Sequence, residues 1–250
     1  MDLNADLGEG FGVWRLGDDT ALLDIVTSAN VACGFHAGDP VTMRRVCGLA
    51  ATRGVAIGAQ VGYRDLAGFG RRRIDIAADE LGADVLYQLG ALDAFASVVG
   101  TRVRYLKPHG ALYNTAADDP VQARAVISAV VRYDPTMPVL GLPGSALAGA
   151  ADAAGVPFVA EAFVDRAYTA EGRLVPRTVP GAVQCDEAMV VAQALSIARD
   201  AAVIAADGTS VDVRAASLCL HGDTPGAVAI ARSVRAALLE LGATLAPFVA

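Results

Sequence analysis

The sequence predicts an α/β barrel, a closed ring of parallel strands with helices outside it. Three observations carry that expectation. Short apolar runs alternate with helical stretches about seven times along the chain, the grammar of repeated βα units. The runs are apolar at nearly every position, as in sheets covered on both faces. Reactive polar residues follow almost every run. An open, doubly wound sheet would gather them near one switch point, whereas a barrel brings every strand end to one mouth. The length of 250 residues suits a single barrel domain spanning 1–250.

Each element has its own signal. Residues 1–6 read as the first strand, ended by Gly8-Glu9-Gly10 in a loop that presents Asn4, Asp6 and Glu9. Asp18 and Asp19 cap a short helix over 20–26. Val31-Ala32-Cys33 breaks at Gly34 and delivers His36. Gly38 then turns the chain, Asp39 caps, and Pro40 opens a helix to Arg53 that Gly54 stops. Val55–Gln60 leads into a long loop, 61–73, rich in Gly and Arg and holding Tyr63, which makes it a candidate binding loop or lid. Leu81, Val85, Leu89, Leu92 and Phe95 mark a helix over 76–99.

Val103–Leu106 ends in Lys107-Pro108-His109-Gly110, and Asp118, Asp119 and Pro120 open a helix to Tyr133. Val139–Leu142 stops at Pro143-Gly144-Ser145, before an Ala-rich helix closed by Gly155. The free N–H groups there could meet an anion. Phe158–Phe163, holding Glu161, runs into a second long loop, 164–182, with Asp165, Arg166, Tyr168, Arg173 and Arg177. A helix over 186–206 follows. Ala216–Leu220 then ends in His221-Gly222-Asp223, and Thr224-Pro225 opens a last helix closed by Gly242.

Composition narrows the function classes. With 54% hydrophobic and 19% charged residues the chain is a folded one. The longest apolar stretch, 188–206, is cut by Gln193, Arg199 and Asp200, so no spanning helix is expected. The acidic start is unlike a signal peptide, and a cytoplasmic location is the expectation. A formal net charge of −7 argues against a nucleic-acid partner. The four Cys form no Cys-x-x-Cys pair and read as free thiols; Cys33 alone adjoins a polar turn. P-loop and nucleophile-elbow motifs are missing.

All three His of the chain lie just past a predicted strand, His109 and His221 directly before a glycine and His36 between Gly34 and Gly38, two residues from each. One such His is usually a hydrogen-bonded structural residue; three of three point to a site. Asp6 lies between Ala5 and Leu7 at a strand end and is expected at the mouth as general base or metal ligand, whereas Glu9 reads as a cap or solvated charge. Asp6, His36, His109 and His221 could bind a divalent metal, though acid/base work without one is favoured. Lys107 projects to the same side as His109 and either pairs with Glu161 or Asp165 or holds an anion. Arg71–Arg73, Arg166, Arg173 and Arg177 in the two long loops suggest a carboxylate or phosphate site.

Several segments carry a resemblance: Asp2-Leu-Asn-Ala-Asp-Leu-Gly-Glu9, Ala29–Pro40, Gly68-Phe-Gly-Arg-Arg72, Lys107-Pro-His-Gly-Ala-Leu-Tyr-Asn114, Asp165-Arg-Ala-Tyr168 with Leu174-Val-Pro-Arg177, and Leu220-His-Gly-Asp223. Together they resemble the LamB/YcsF family over essentially the whole chain. The resemblance implies a (β/α)7-like, TIM-type barrel related to glycoside hydrolases and polysaccharide deacetylases. It also implies ATP-dependent cleavage of 5-oxo-L-proline to L-glutamate, with ATP and its Mg²⁺ as co-substrate and 5-oxoprolinase subunits B and C as partners. By motif position, Asp6, His36, His109, His221 and Asp223 become the catalytic candidates, with His109 or His221 beside Asp223 as general acid/base. Lys107, Asp165, Arg166, Glu9, Gln60, Tyr63, Arg72 and Arg177 become the substrate-binding candidates, and Asp6, His36 and His109 the ligands of any metal. Gln60 stands where many members carry His, and Arg64 where a Pro is usual; an amide serves neither as base nor as a good ligand. A stand-alone metal-dependent deacetylase or amidohydrolase, and a non-catalytic binding subunit, are the competing readings. A homo-oligomer stays open.

Overall fold

The computed structural model describes residues 1–249. In chain order the elements are β1 (Asp2–Leu7), α1 (Asp19–Leu23), β2 (Ser28–Ala32), α2 (Pro40–Arg53), β3 (Ala56–Val61), α3 (Ala78–Val98), β4 (Tyr105–Pro108), α4 (Gly110–Asp118) and α5 (Pro120–Tyr133). There follow β5 (Val139–Gly141), α6 (Ala146–Ala154), β6 (Phe158–Phe163), α7 (Glu187–Asp200), β7 (Ala202–Ile204), β8 (Ser210–Asp212), β9 (Ser217–Leu220) and α8 (Ala227–Glu240). Seven strands close a parallel barrel in the order β1-β2-β3-β4-β5-β6-β9, and β1 pairs with both β2 and β9. This is the expected α/β barrel.

Helix ends follow local chemistry. The Asp39 carboxylate accepts from the N–H groups of Val41 and Thr42, Pro40 takes the first turn, and Gly54 closes α2 at φ 66°. Asp119 repeats this for α5 with Val121 and Gln122. Among the described residues no helix is long and apolar enough to cross a membrane.

Three elements depart from expectation. α4, which was not expected, begins directly after His109 at Gly110 (φ 56°), and no side chain caps the turn. The helix expected over 186–206 ends at Asp200, because Ala201 takes φ 52° and the chain turns into the β7–β8 hairpin around Asp207-Gly208. The last helix starts at Ala227 rather than Pro225, since Gly226 (φ 78°) stands between them.

The strands are also less uniform than they read. Leu3, Ala5 and Leu7 pack toward the helices, while the alternate residues Asp2, Asn4 and Asp6 are buried in a polar network. Asn4 donates to Ser217 (2.7 Å), Asn30 to Asn4 (2.7 Å) and Asp6 (2.8 Å), and Tyr105 to Asn30 (2.7 Å). Every buried polar group of this kind needs such a partner. Register makes the room: Gly58 pairs with Asn30 and Tyr105, and a Cβ on Gly58 would strike the Tyr105 ring. The lumen is a polar column that rises to the mouth.

Candidate active site

At the top of that column stands Lys107, 2% exposed. Its ammonium lies 2.7 Å from Glu161, 3.3 Å from both Asn4 and Asp6, and 3.1 Å from Cys219 Sγ. Burial opposes its charge, yet Asp6 and Glu161 overrule burial and hold Lys107 protonated well above its usual range. Burial likewise would raise Asp6, but Lys107 and the nearby imidazoles keep that carboxyl ionised, well below the ordinary value.

The β4 and β2 ends bring His109 and His36 together, rings stacked with centroids 4.0 Å apart. His109 Nε2 lies 3.1 Å from the Phe69 carbonyl and donates to it. Its Nδ1 then faces two carboxylates, Glu9 at 3.6 Å and Asp6 at 3.9 Å. Gln60 bridges His36 and Glu9: its oxygen lies 3.1 Å from His36 Nε2, and its nitrogen donates to Glu9 at 3.1 Å. His36 Nδ1 is buried with no partner. Burial first, then the neighbouring His109, pulls His36 far below the usual imidazole range, so it stays neutral. Burial, reinforced by Asp6 and Asp223, pushes Glu9 well above the usual carboxyl range, so it holds a proton. Two neighbouring carboxyls are thereby driven apart, one ionised and one protonated, which is how acid and base roles separate.

The β9 end supplies His221. Asp165 grips its Nδ1 with both oxygens, at 2.9 and 3.0 Å, and accepts its backbone N–H at 2.9 Å. Nδ1 therefore carries the hydrogen and Nε2 is the basic nitrogen. Burial would raise Asp165, but His221 outweighs it and the carboxyl stays below its ordinary value. His109 and His221 both line one pocket with Asp6, Lys107, Phe163 and Arg177. Arg71 also lines it, bridging to Asp223 at 2.6 Å. The pocket has about 30 Å³ of free volume, room for a water or two.

Comparison with known proteins decides the lineage. The sequence pattern of the LamB/YcsF family matches residues 1–250. The chain belongs to this family. A Streptomyces coelicolor protein, named as the A subunit of 5-oxoprolinase, is 62% identical over 248 residues, covering 99% of each chain. The crystal structure of a lactam utilization protein from Thermus thermophilus is similar at TM-score 0.93 and 44% identity, covering 99% of each chain. A peptidoglycan N-acetylglucosamine deacetylase shares the fold alone, at TM-score 0.50 and 11% identity, covering 99% of this chain and 85% of that one.

Within this LamB/YcsF barrel the predicted site residues separate into groups. Asp6, Glu9, His36, Gln60, Lys107 and His109 form one buried cluster, and His221, held from behind by Asp165, lines the same pocket as Asp6, Lys107 and His109. Glu9 is 4% exposed, which corrects its reading as a solvated charge. The partner expected for His221 was Asp223; it is Asp165, because Arg71 draws Asp223 to the rim. Arg166 donates to the Ala182 and Val175 carbonyls and so anchors its own loop. Of the predicted residues, Asp6, Lys107, His109, Arg177 and His221 line the pocket, and Tyr63 and Arg72 point away from it. Tyr63 donates its hydroxyl to Gln122 of α5, and Arg72 is clasped by Asp65. Gln60 reaches Glu9 and His36 rather than the pocket. Lys107 is consumed by Asp6 and Glu161, as its pairing alternative expected. Cys33 and Cys219 are buried thiols pushed upward by burial.

Phe69 and Phe163 were not anticipated as site residues, and Arg71 only as one of three neighbouring arginines. The one sequence signal for Phe69 was Gly68-Phe69-Gly70, which lets it sit at φ 54° with its ring edge-on to both imidazoles. As for a metal, one donor atom each from Glu9, His36 and His109 lies within 4.8 Å of the others. The expected set of Asp6, His36 and His109 changes by one member, since Lys107 and Asn30 already occupy Asp6 Oδ1.

Proposed function

We propose that this chain is the A subunit of an ATP-dependent 5-oxoprolinase, opening the lactam of 5-oxo-L-proline to L-glutamate in the cytoplasm with partner subunits B and C. The carrying observation is that two imidazoles, His109 and His221, line one small pocket, each with a carboxyl group behind it: Glu9 at His109 and Asp165 at His221. The relatives named for this activity and for lactam utilization supply the substrate class.

A five-membered lactam is a resonance-stabilised amide. A phosphoryl group from ATP–Mg²⁺ on the carbonyl oxygen weakens that resonance and makes the carbon a better electrophile. His221 Nε2 then takes a proton from water as the oxygen attacks. The C–N bond breaks, the ring nitrogen receives a proton from the Glu9–His109 pair, and the resulting glutamyl phosphate is cleaved by a second water to L-glutamate and inorganic phosphate. Arg177 and Arg71 stand at the pocket to hold the substrate carboxylate. Lys107 and Asp6 fix the floor beneath it.

A second reading has its own observation, the Glu9-His36-His109 donor set. A carboxylate with two imidazoles fits Zn²⁺ or Mn²⁺, and His36 Nδ1 is a buried nitrogen without a partner. A metal held there would polarise the carbonyl. Elemental analysis of the purified chain checks this: a stoichiometric metal lost in Glu9→Ala supports it, and metal-free active protein removes it.

The lactam reading is tested by reconstitution. Glutamate should form only when this chain, subunits B and C, ATP and 5-oxoproline are all present. Glutamate formation without the chain, or deacetylation of amino sugars by the chain alone, would overturn it.

A further inference from the structure

A cleft of about 600 Å³ opens beside the inner pocket and shares Arg71, Gly110, Asn114 and Arg177 with it. Its wall carries Arg71, Arg73, Arg166, Arg173 and Arg177 against one carboxylate, Asp118. This is a concentration of positive charge in a chain whose net charge is −7. Three of the five have counter-charges: Arg71 at Asp223 (2.6 Å), Arg173 at Asp118 (2.9 Å) and, more loosely, Arg73 at Asp119 (3.7 Å).

Arg166 and Arg177 make no direct ion pair, although Asp165 favours the Arg166 charge from beyond contact and Arg177 acts likewise on Asp165 and Asp223. Arg166 is 4% exposed and spends its donors on neutral carbonyls. Among the described residues neither guanidinium has a carboxylate within ion-pair distance, 4.0 Å. Burial first, then the like charge of Arg177, pulls Arg166 down to about 10. Asp165 offsets this only in part, and a buried cation beside a second cation is unfavourable without an anion in contact. An anion carrying two or more negative charges removes that imbalance, and guanidinium forks match phosphate oxygens in pairs. The cleft also has the volume of a small-molecule site, which the inner pocket lacks.

We propose that this arginine cleft is a phosphate subsite, holding a phosphoryl-bearing anion against the pocket where the lactam is opened. The identity of the anion rests on the function proposed above: either the phosphate chain of the nucleotide or the phosphoryl group already on the substrate.

Calorimetry of the full chain distinguishes these sources with tripolyphosphate and ATP as one arm and inorganic phosphate and phenyl phosphate as the other. The expected result is one-to-one binding that weakens at high salt. Arg177→Ala should weaken it about tenfold or more, and Arg177→Lys should recover part of the loss. Tighter tripolyphosphate and ATP supports the nucleotide source; tighter phenyl phosphate supports the phosphorylated substrate. Either result upholds the subsite. No binding of any probe by folded protein, or unchanged affinity in Arg177→Ala, overturns it. The two proposals fail separately. Glutamate formation without phosphate binding removes the subsite alone, and phosphate binding without glutamate formation removes the lactam reading alone.

Discussion

His221 owes its basic nitrogen to Asp165, whose two oxygens hold Nδ1 at 2.9 and 3.0 Å. Asp165→Asn can present its NH₂ to Nδ1 and so favour the wrong tautomer. We expect kcat for glutamate formation to fall about 10²- to 10⁴-fold, with KM little changed. The same substitution has a stability signature. Asp165 is held below 3.8 in the fold by His221 against the opposing effect of burial, so its contribution is present above that pH and lost as pH falls below it. Acid unfolding of Asp165→Asn should therefore start from lower stability and depend less on pH. Glu9 has the opposite sign. Its carboxyl is raised above 4.5 by burial and by Asp6, so its contribution is full below 4.5 and lost as pH rises toward the folded value. Denaturant melts should show Glu9→Gln gaining on the natural protein as pH increases, while its kcat drops. At this scale the sequence was partly legible. Three His near glycine pointed to the site, but Asp165 lies 56 residues from His221 and no local pattern pairs them.

The segment after β3 is the element that covers the imidazoles. Asp65 accepts from the N–H of Gly68 at 3.0 Å and of Arg72 at 3.3 Å, and clasps the Arg72 guanidinium. That turn sets Phe69 over His36 and His109 and leaves Arg71 to reach Asp223. Asp65→Ala should release the loop while the barrel stays folded, so limited trypsin digestion should cut at 71–73 several-fold faster and kcat and KM should change together. Gly110 fits closely under the same loop: at φ 56°, a Cβ there would come within 2.5 Å of the Gly70 carbonyl. Reading this loop as a lid followed from its length and its glycines. Which arginine faces the pocket did not. Arg71 and Arg72 are neighbours with the same chemistry, and only the Asp65 turn sends one inward and one outward.

The whole barrel is built around charge buried in its lumen. Lys107 faces Asp6 and Glu161, and the three are all nearly inaccessible. Lys107→Met would leave two buried carboxyls without their cation, a loss of about 3–5 kcal/mol, read as a fall in denaturant midpoint. Adding Glu161→Gln should recover part of it. Barrel closure was legible because reactive residues follow almost every strand, which one mouth explains and one switch point does not. The polar lumen was not read from the sequence: Asp2, Asn4 and Asp6 hold alternate positions of the first strand, yet strand register alone decides which residues meet there. The β7–β8 hairpin escaped because its apolar residues continue the pattern of the helix before it.

The most direct measurement is glutamate production from 5-oxoproline by the reconstituted complex carrying His221→Ala, with folding checked by its thermal melt. The account predicts a folded complex whose kcat is lower by about 10²- to 10⁴-fold. A folded complex that turns over within twofold of the natural protein (roughly 0.4 kcal/mol) would contradict it.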